Sequence, residues 1–216
     1  MVLTAFMSMG WILATWLIDD RIPHEAISDQ PGKRPRWLLV GAQLGLWVCV
    51  SCAALSKGLP ALLLLIYVVL GAKLLGGRWS VLGRSGIVWG LPLAMVIVGL
   101  WAFAAYRSNP DHFRYVLIGN EAVNRISRGG LIQIISDLWK MPGWLIVKYA
   151  PWSVFAVFGV SHIVSKQHKS RLLNNPLGHC VLWIVLIVIF FSCSGGKRAD
   201  YLAPALPAVA VLSSYW

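Results

Sequence analysis

Lys197 and Arg198 stand side by side between a glycine pair and a proline-marked apolar run, in Ser192-Cys193-Ser194-Gly195-Gly196-Lys197-Arg198-Ala199-Asp200-Tyr201-Leu202-Ala203-Pro204-Ala205-Leu206-Pro207. Two cations at the start of an apolar helix meet its free backbone N–H groups and its partial positive charge. That combination favours an anion. Tyr201 can add a hydroxyl donor. The chemistry that suits these groups is the holding of a phosphate. Three other stretches bear on it. At Ser56-Lys57-Gly58 a long apolar run breaks, and Pro60 restarts it near a first-turn position. Lys57 there can hold an anion or simply sit as an interfacial lysine. Glu121 and Arg125 are four residues apart, so on a helix they share a face and can pair. With Val116, Leu117, Val123 and Ile126 they predict a short amphipathic helix on the bilayer surface, with Arg125 and Arg128 at phosphate level. An ordinary surface ion pair is the alternative. Tyr149-Ala150-Pro151-Trp152 combines a kink or helix start with an interfacial tryptophan.

Other chemistries lack their residues. None of the five histidines has HxxxH or HExxH spacing, so no metal site is expected. There is no GxSxG nucleophile motif and no Walker GxxxxGK[ST]. Cys49 and Cys52 have CxxC spacing but lie inside an apolar run without His or acidic neighbours, and they read as packing residues. Asp19-Asp20 reads as a helix-end flank and Lys148 as a lysine that snorkels to the interface.

The elements that must position these residues are membrane helices. The chain is 58% hydrophobic and only 12% charged, against about 25% charged in an ordinary soluble domain. The expected class is therefore an all-α polytopic transmembrane bundle. Seven apolar spans can be drawn: Val2–Ile18, Trp37–Leu55, Leu59–Leu75, Ser85–Tyr106, Trp144–Ile163, His179–Ser194 and Ala203–Trp216. Each is near the roughly 20 residues a helix needs to cross a bilayer. Neither end carries an interfacial flank, so residues 1–216 are expected to be one partial transmembrane domain. Earlier spans, a first outer loop and any C-terminal region would then lie in a longer protein.

The net charge of +11 does not point to nucleic acid, because the cations are scattered through short connections between spans. Loops at 19–36, 76–84 and 165–175 are consistently basic and are placed inside. That orientation puts Lys57, the 107–142 loop and the Gly195–Tyr201 connection on the outer face, where cations are harder to explain as topology signals. Trp37, Trp79, Trp89 and Trp183 then form an inner aromatic belt, and Trp101, Tyr106, Trp139, Trp144, Trp152 and Tyr201 an outer one.

Taken in order, Leu55-Ser56-Lys57-Gly58, Glu121-x-x-x-Arg125, Tyr149-Ala150-Pro151-Trp152-Ser153 and Ser194-Gly195-Gly196-Lys197-Arg198-x-x-Tyr201-x-x-Pro204-x-x-Pro207 resemble the lipid-linked-sugar glycosyltransferases of the GT-C fold. Within it they resemble the bacterial aminoarabinose transferase and protein O-mannosyltransferase group. The resemblance implies a multi-pass enzyme of the inner membrane. It would transfer a sugar from a polyprenyl-phosphate carrier to a lipid, protein or glycan acceptor at the extracytoplasmic face. Its donor is a lipid-linked sugar, and no further cofactor is implied. Lys57, Arg125, Lys197 and Arg198 would contact the donor phosphate, Glu121 would orient Arg125, and Tyr201 would add a hydrogen bond. The family's base is a carboxylate in the first outer loop, and another acid precedes a Leu-Leu-Thr-like run. Here that run reads Met1-Val2-Leu3-Thr4 without the acid, so the catalytic carboxylate is expected upstream of Met1 and this stretch alone is expected to be inactive.

Two other classes fit the composition. One is a polytopic transporter or lipid flippase whose outer cations recruit an anionic substrate. The other is a membrane assembly protein without catalysis. Transporters place ionisable residues near mid-span. These spans are nearly uncharged at their centres, which favours chemistry at one face.

Overall fold

The computed structural model describes residues 2–19, 35–77, 79–110, 139–166, 177–193 and 198–214. Among the described residues there are helices and no strands. Open sheet is not an option in lipid, because every backbone group must find its partner within the span or a closed barrel. The elements are α1 (Val2–Ile18), α2 (Arg36–Lys57), a 3₁₀ turn (Leu59–Ala61), α3 (Leu62–Leu74), α4 (Ser80–Arg84) and α5 (Ile87–Ser108). They continue with α6 (Lys140–Lys148), α7 (Trp152–Lys166), α8 (Leu177–Ser192), a 3₁₀ helix (Ala199–Ala205) and α9 (Leu206–Ser213).

All seven apolar runs are helical, but their lengths differ. Only α2 and α5, at 22 residues each, are long and apolar enough to cross a membrane as single helices among the described residues. The run drawn from Trp144 to Ile163 is two helices, α6 and α7, meeting at 107°, with the expected kink or helix start falling at Pro151. Pro151 has no N–H to carry a helical ladder through the bend. The last run departs from expectation. Pro204 lies within the 3₁₀ helix, and Pro207 sits in the first turn of α9, so the α-helix opens later than the sequence suggests. The amphipathic helix expected around Glu121 and Arg125 lies outside the described residues.

The core is built where α1, α3, α8 and the 3₁₀ helix meet. Met7, Ala14, Leu17, Leu63, Leu64, Tyr67, Trp183, Ile187 and Leu202 are fully or almost fully buried there. Trp183 stacks on Trp11, with ring centroids 6.0 Å apart, and donates its indole N–H to the Pro204 carbonyl at 2.9 Å. It therefore anchors the last segment and does not join the inner aromatic belt. On the other flank α2 packs between α1 and α5. The Trp47 indole lies directly against Gly90 and donates to the Ser85 carbonyl at 2.9 Å, while the Gln43 amide donates to the Arg84 carbonyl at 2.7 Å. A Cβ on Gly90 would collide with the Trp47 indole, and one on Gly159 of α7 would collide with the Leu212 carbonyl of α9. Small residues at such crossings are how membrane helices approach closely without a hydrophobic driving force between them.

Candidate phosphate-binding cleft

Lys57 is the last residue of α2, and Gly58 ends that helix at φ +66°, a conformation glycine adopts without strain. The chain re-enters through Pro60 and the 3₁₀ turn. This geometry leaves Lys57 exposed at the rim of a cleft of about 710 Å³. Across it, Tyr201 is held by stacking on Phe191 of α8, with ring centroids 4.9 Å apart and planes 25° apart. The Lys57 ammonium lies 4.5 Å from the centre of the Tyr201 ring. A cation over an aromatic face is held by the ring quadrupole and keeps its donors for other partners. The first turns of α1 supply Thr4 and Ser8 as hydroxyl-bearing lining residues, and Tyr149 lines the wall behind α6.

Lys148 and Asp200 complete the cleft. The Lys148 Nζ is 2.6 Å from Asp200 Oδ1, joining the end of α6 to the 3₁₀ helix. The Lys148 hydrogen bond and charge, with smaller contributions from Arg198 and Lys57, hold the Asp200 carboxyl below the usual carboxylate range. Asp200 is thus an anion at working pH and a poor proton acceptor.

Of the sequence-derived site residues, the structure brings Lys57 and Tyr201 together. Arg198 is exposed and precedes the 3₁₀ helix, where its charge reaches Asp200. Glu121, Arg125 and Lys197 lie outside the described residues. Lys148 does more than snorkel: it is a cleft residue with a carboxylate partner. Asp200 was overlooked although it lies inside the motif; the signal was an acid two positions after Arg198.

The sequence reading also missed a polar cluster in the core. The Tyr67 hydroxyl is 2.7 Å from Thr15 Oγ1 and 2.7 Å from His179 Nδ1, and His179 Nε2 is 3.7 Å from Asp19 Oδ2. Asp19 does follow the end of α1, as expected, but its side chain is buried.

No protein-family model matches the chain. It does resemble curated proteins. It is 25% identical over 209 residues to an undecaprenyl phosphate-alpha-4-amino-4-deoxy-L-arabinose arabinosyl transferase of Pseudomonas fluorescens, covering 97% of this chain and 33% of that protein. With the transferases of the same name from Shewanella sediminis and Pseudomonas aeruginosa the identities are 28% over 162 residues and 29% over 192. Those matches cover 75% and 87% of this chain, and 28% and 32% of the relatives. The chain thus spans about a third of the length of the curated relatives it matches. In structure it superimposes on ArnT from Cupriavidus metallidurans bound to undecaprenyl phosphate with a TM-score of 0.70 at 19% identity, over 98% of this chain and 35% of that one. The chain has an ArnT-like GT-C fold. The bundle of α1, α2, α3 and α8 is therefore a section of a GT-C membrane core, and the cleft of Lys57, Lys148, Asp200 and Tyr201 opens in that section.

Proposed function

We propose that this chain is the part of a membrane glycosyltransferase that holds the phosphate of a polyprenyl-phosphate-linked sugar. The observation that carries this is the pairing of Lys57 with Tyr201. Residues far apart in the chain meet at one cleft mouth, in a fold shared with a protein solved with undecaprenyl phosphate. In the transfer, the bond between the anomeric carbon and the phosphate oxygen breaks and a bond from that carbon to the acceptor oxygen forms. The phosphate keeps the electron pair, so negative charge grows on its oxygens. Lys57 and Arg198, with Lys197 and Arg125, stabilise that charge electrostatically. Glu121 orients Arg125, and the Tyr201 hydroxyl adds a hydrogen bond.

The site faces the extracytoplasmic side of the inner membrane, and the acceptor is a lipid, protein or glycan. The acceptor's base is a carboxylate other than Asp200, which Lys148 engages. The buried Asp19–His179 pair does not favour a transporter, because both residues lie at helix ends. Binding of undecaprenyl phosphate to the chain in lipid nanodiscs tests the reading. Lys57→Ala and Arg198→Ala should each weaken binding several-fold, most strongly at low salt. Absence of binding by the unsubstituted chain would overturn it.

A further inference from the structure

The Lys148–Asp200 pair lies in the cleft without a role in the reading above. Its side chains are 48% and 81% exposed. Exposed pairs of this kind contribute little to stability, so holding α6 against the 3₁₀ helix does not account for it well. Its position says more. Lys148 and Lys57 line the same cleft, and Asp200 is next to Tyr201, over whose ring Lys57 sits. Asp200 uses one of three donors on the Lys148 ammonium. Among the described lining residues of the cleft it is the one carboxylate.

We propose that Lys148 is a further ligand of the carrier phosphate and that Asp200 is a built-in competitor, which shares Lys148 with the entering donor and helps expel the spent carrier after transfer. This deepens the functional reading above and rests on it. A phosphate monoester carries about −1.5 to −2 charge near neutral pH, against −1 for the carboxylate. The entering donor, a diester of single charge, matches the carboxylate and takes the donors that Asp200 leaves on an exposed and weakly held ammonium. The lipid-linked sugar is a phosphodiester with one negative charge, whereas the spent carrier is a monoester with nearly two. A cleft lined only by cations would hold the spent carrier more tightly than the donor and stall. Asp200 beside the monoester repels its second charge and pairs fully with Lys148 again once the carrier leaves. Asp200 is thus a positioning residue for Lys148 that limits inhibition by product.

The two halves of the pair should behave oppositely, which no purely structural role produces. Binding of undecaprenyl phosphate would be measured on the chain in nanodiscs, for the wild type and for Asp200→Asn, Lys148→Gln, Asp200→Glu and the Asn/Gln double variant. Asp200→Asn should tighten binding about two- to fivefold and Lys148→Gln should weaken it by a similar factor, the range expected for an exposed charge pair. Asp200→Glu should stay near wild type, and the gain from Asp200→Asn should shrink in the Lys148→Gln background. If Asp200→Asn and Lys148→Gln weaken binding alike, or neither changes it, the pair is a structural tie and the proposal falls while the functional reading stands. Failure of the wild type to bind would remove both.

Discussion

The Tyr67 hydroxyl lies 2.7 Å from Nδ1 of His179, inside a helical core built mainly of apolar side chains. Buried polar groups are costly unless partnered, and here the partners run in series. The Tyr67 hydroxyl bridges Thr15 and Nδ1 of His179, whose Nε2 faces Asp19 at 3.7 Å. The chain of contacts joins α1, α3 and α8. Thr4 and Ser8 of α1 and Phe191 of α8 line the cleft, so the cluster fastens helices that set its width.

Tyr67→Phe keeps the ring packed on Trp183 but leaves Thr15 and His179 each without this partner. The cost of buried groups losing a hydrogen bond is about 1–3 kcal/mol. Thermal unfolding in nanodiscs should show a lower midpoint. An unchanged midpoint would mean that water or other groups replace the hydroxyl at no cost.

Gly90→Ala places a methyl group into the Trp47 indole, whose N–H is committed to the Ser85 carbonyl. Overpacking of this kind costs about 1–3 kcal/mol. Gly99→Ala, on the same helix with open space around it, should be neutral or stabilising. Equal effects of the two in a thermal melt would contradict the close α2–α5 approach.

Tyr201 is expected to act on Lys57 chiefly through its ring. Tyr201→Phe keeps both the stack on Phe191 and the face under the ammonium, and should retain most of the affinity for undecaprenyl phosphate. Tyr201→Leu removes both and should weaken binding about tenfold, from loss of a cation–π contact and of an aromatic stack. If Tyr201→Phe is as damaging as Tyr201→Leu, the hydroxyl is the operative group.

The acidity of Asp200 sets a pH window. Its carboxyl is held below the ordinary carboxylate value by Lys148, so it is ionised and paired at all pH above that value. The pair is lost only as pH falls through the lowered value, below about pH 4. The affinity ratio between Asp200→Asn and wild type should fall modestly as pH drops through about 6, where undecaprenyl phosphate itself takes up its second proton, and then hold to pH 5 because Asp200 stays ionised. A ratio of one already at pH 5 would mean that Asp200 is protonated there and is not held low by Lys148.

Much of the helical architecture was legible in the sequence because membrane helices are written in local composition. Seven apolar runs with basic connections, Gly58 and Pro60 at the α2–α3 turn, and the Lys197-Arg198 pair could all be read without a partner segment. The resemblance to GT-C enzymes rests on such local motifs and agrees with the shared fold. What failed were side-chain destinations. Lys148 looked like a snorkelling lysine and Trp183 like a belt tryptophan, because their partners, Asp200 and the Pro204 carbonyl, are on other segments. Asp19 looked like a helix-end flank because nothing near it in sequence offers the buried histidine it faces.

The sequence by itself determined that this chain is an apolar helical bundle with cations at its connections, since hydropathy and helix-breaking residues act over a few neighbours. Tertiary structure decided which cation meets which group: Lys57 over the Tyr201 ring, Lys148 on Asp200, and His179 between Tyr67 and Asp19. Hydrogen-bond and contact-pair energies depend on separations of a few ångströms. Those pairings therefore depend on how α1, α2, α3, α6 and α8 pack, including the 107° bend that brings the end of α6 to the 3₁₀ helix.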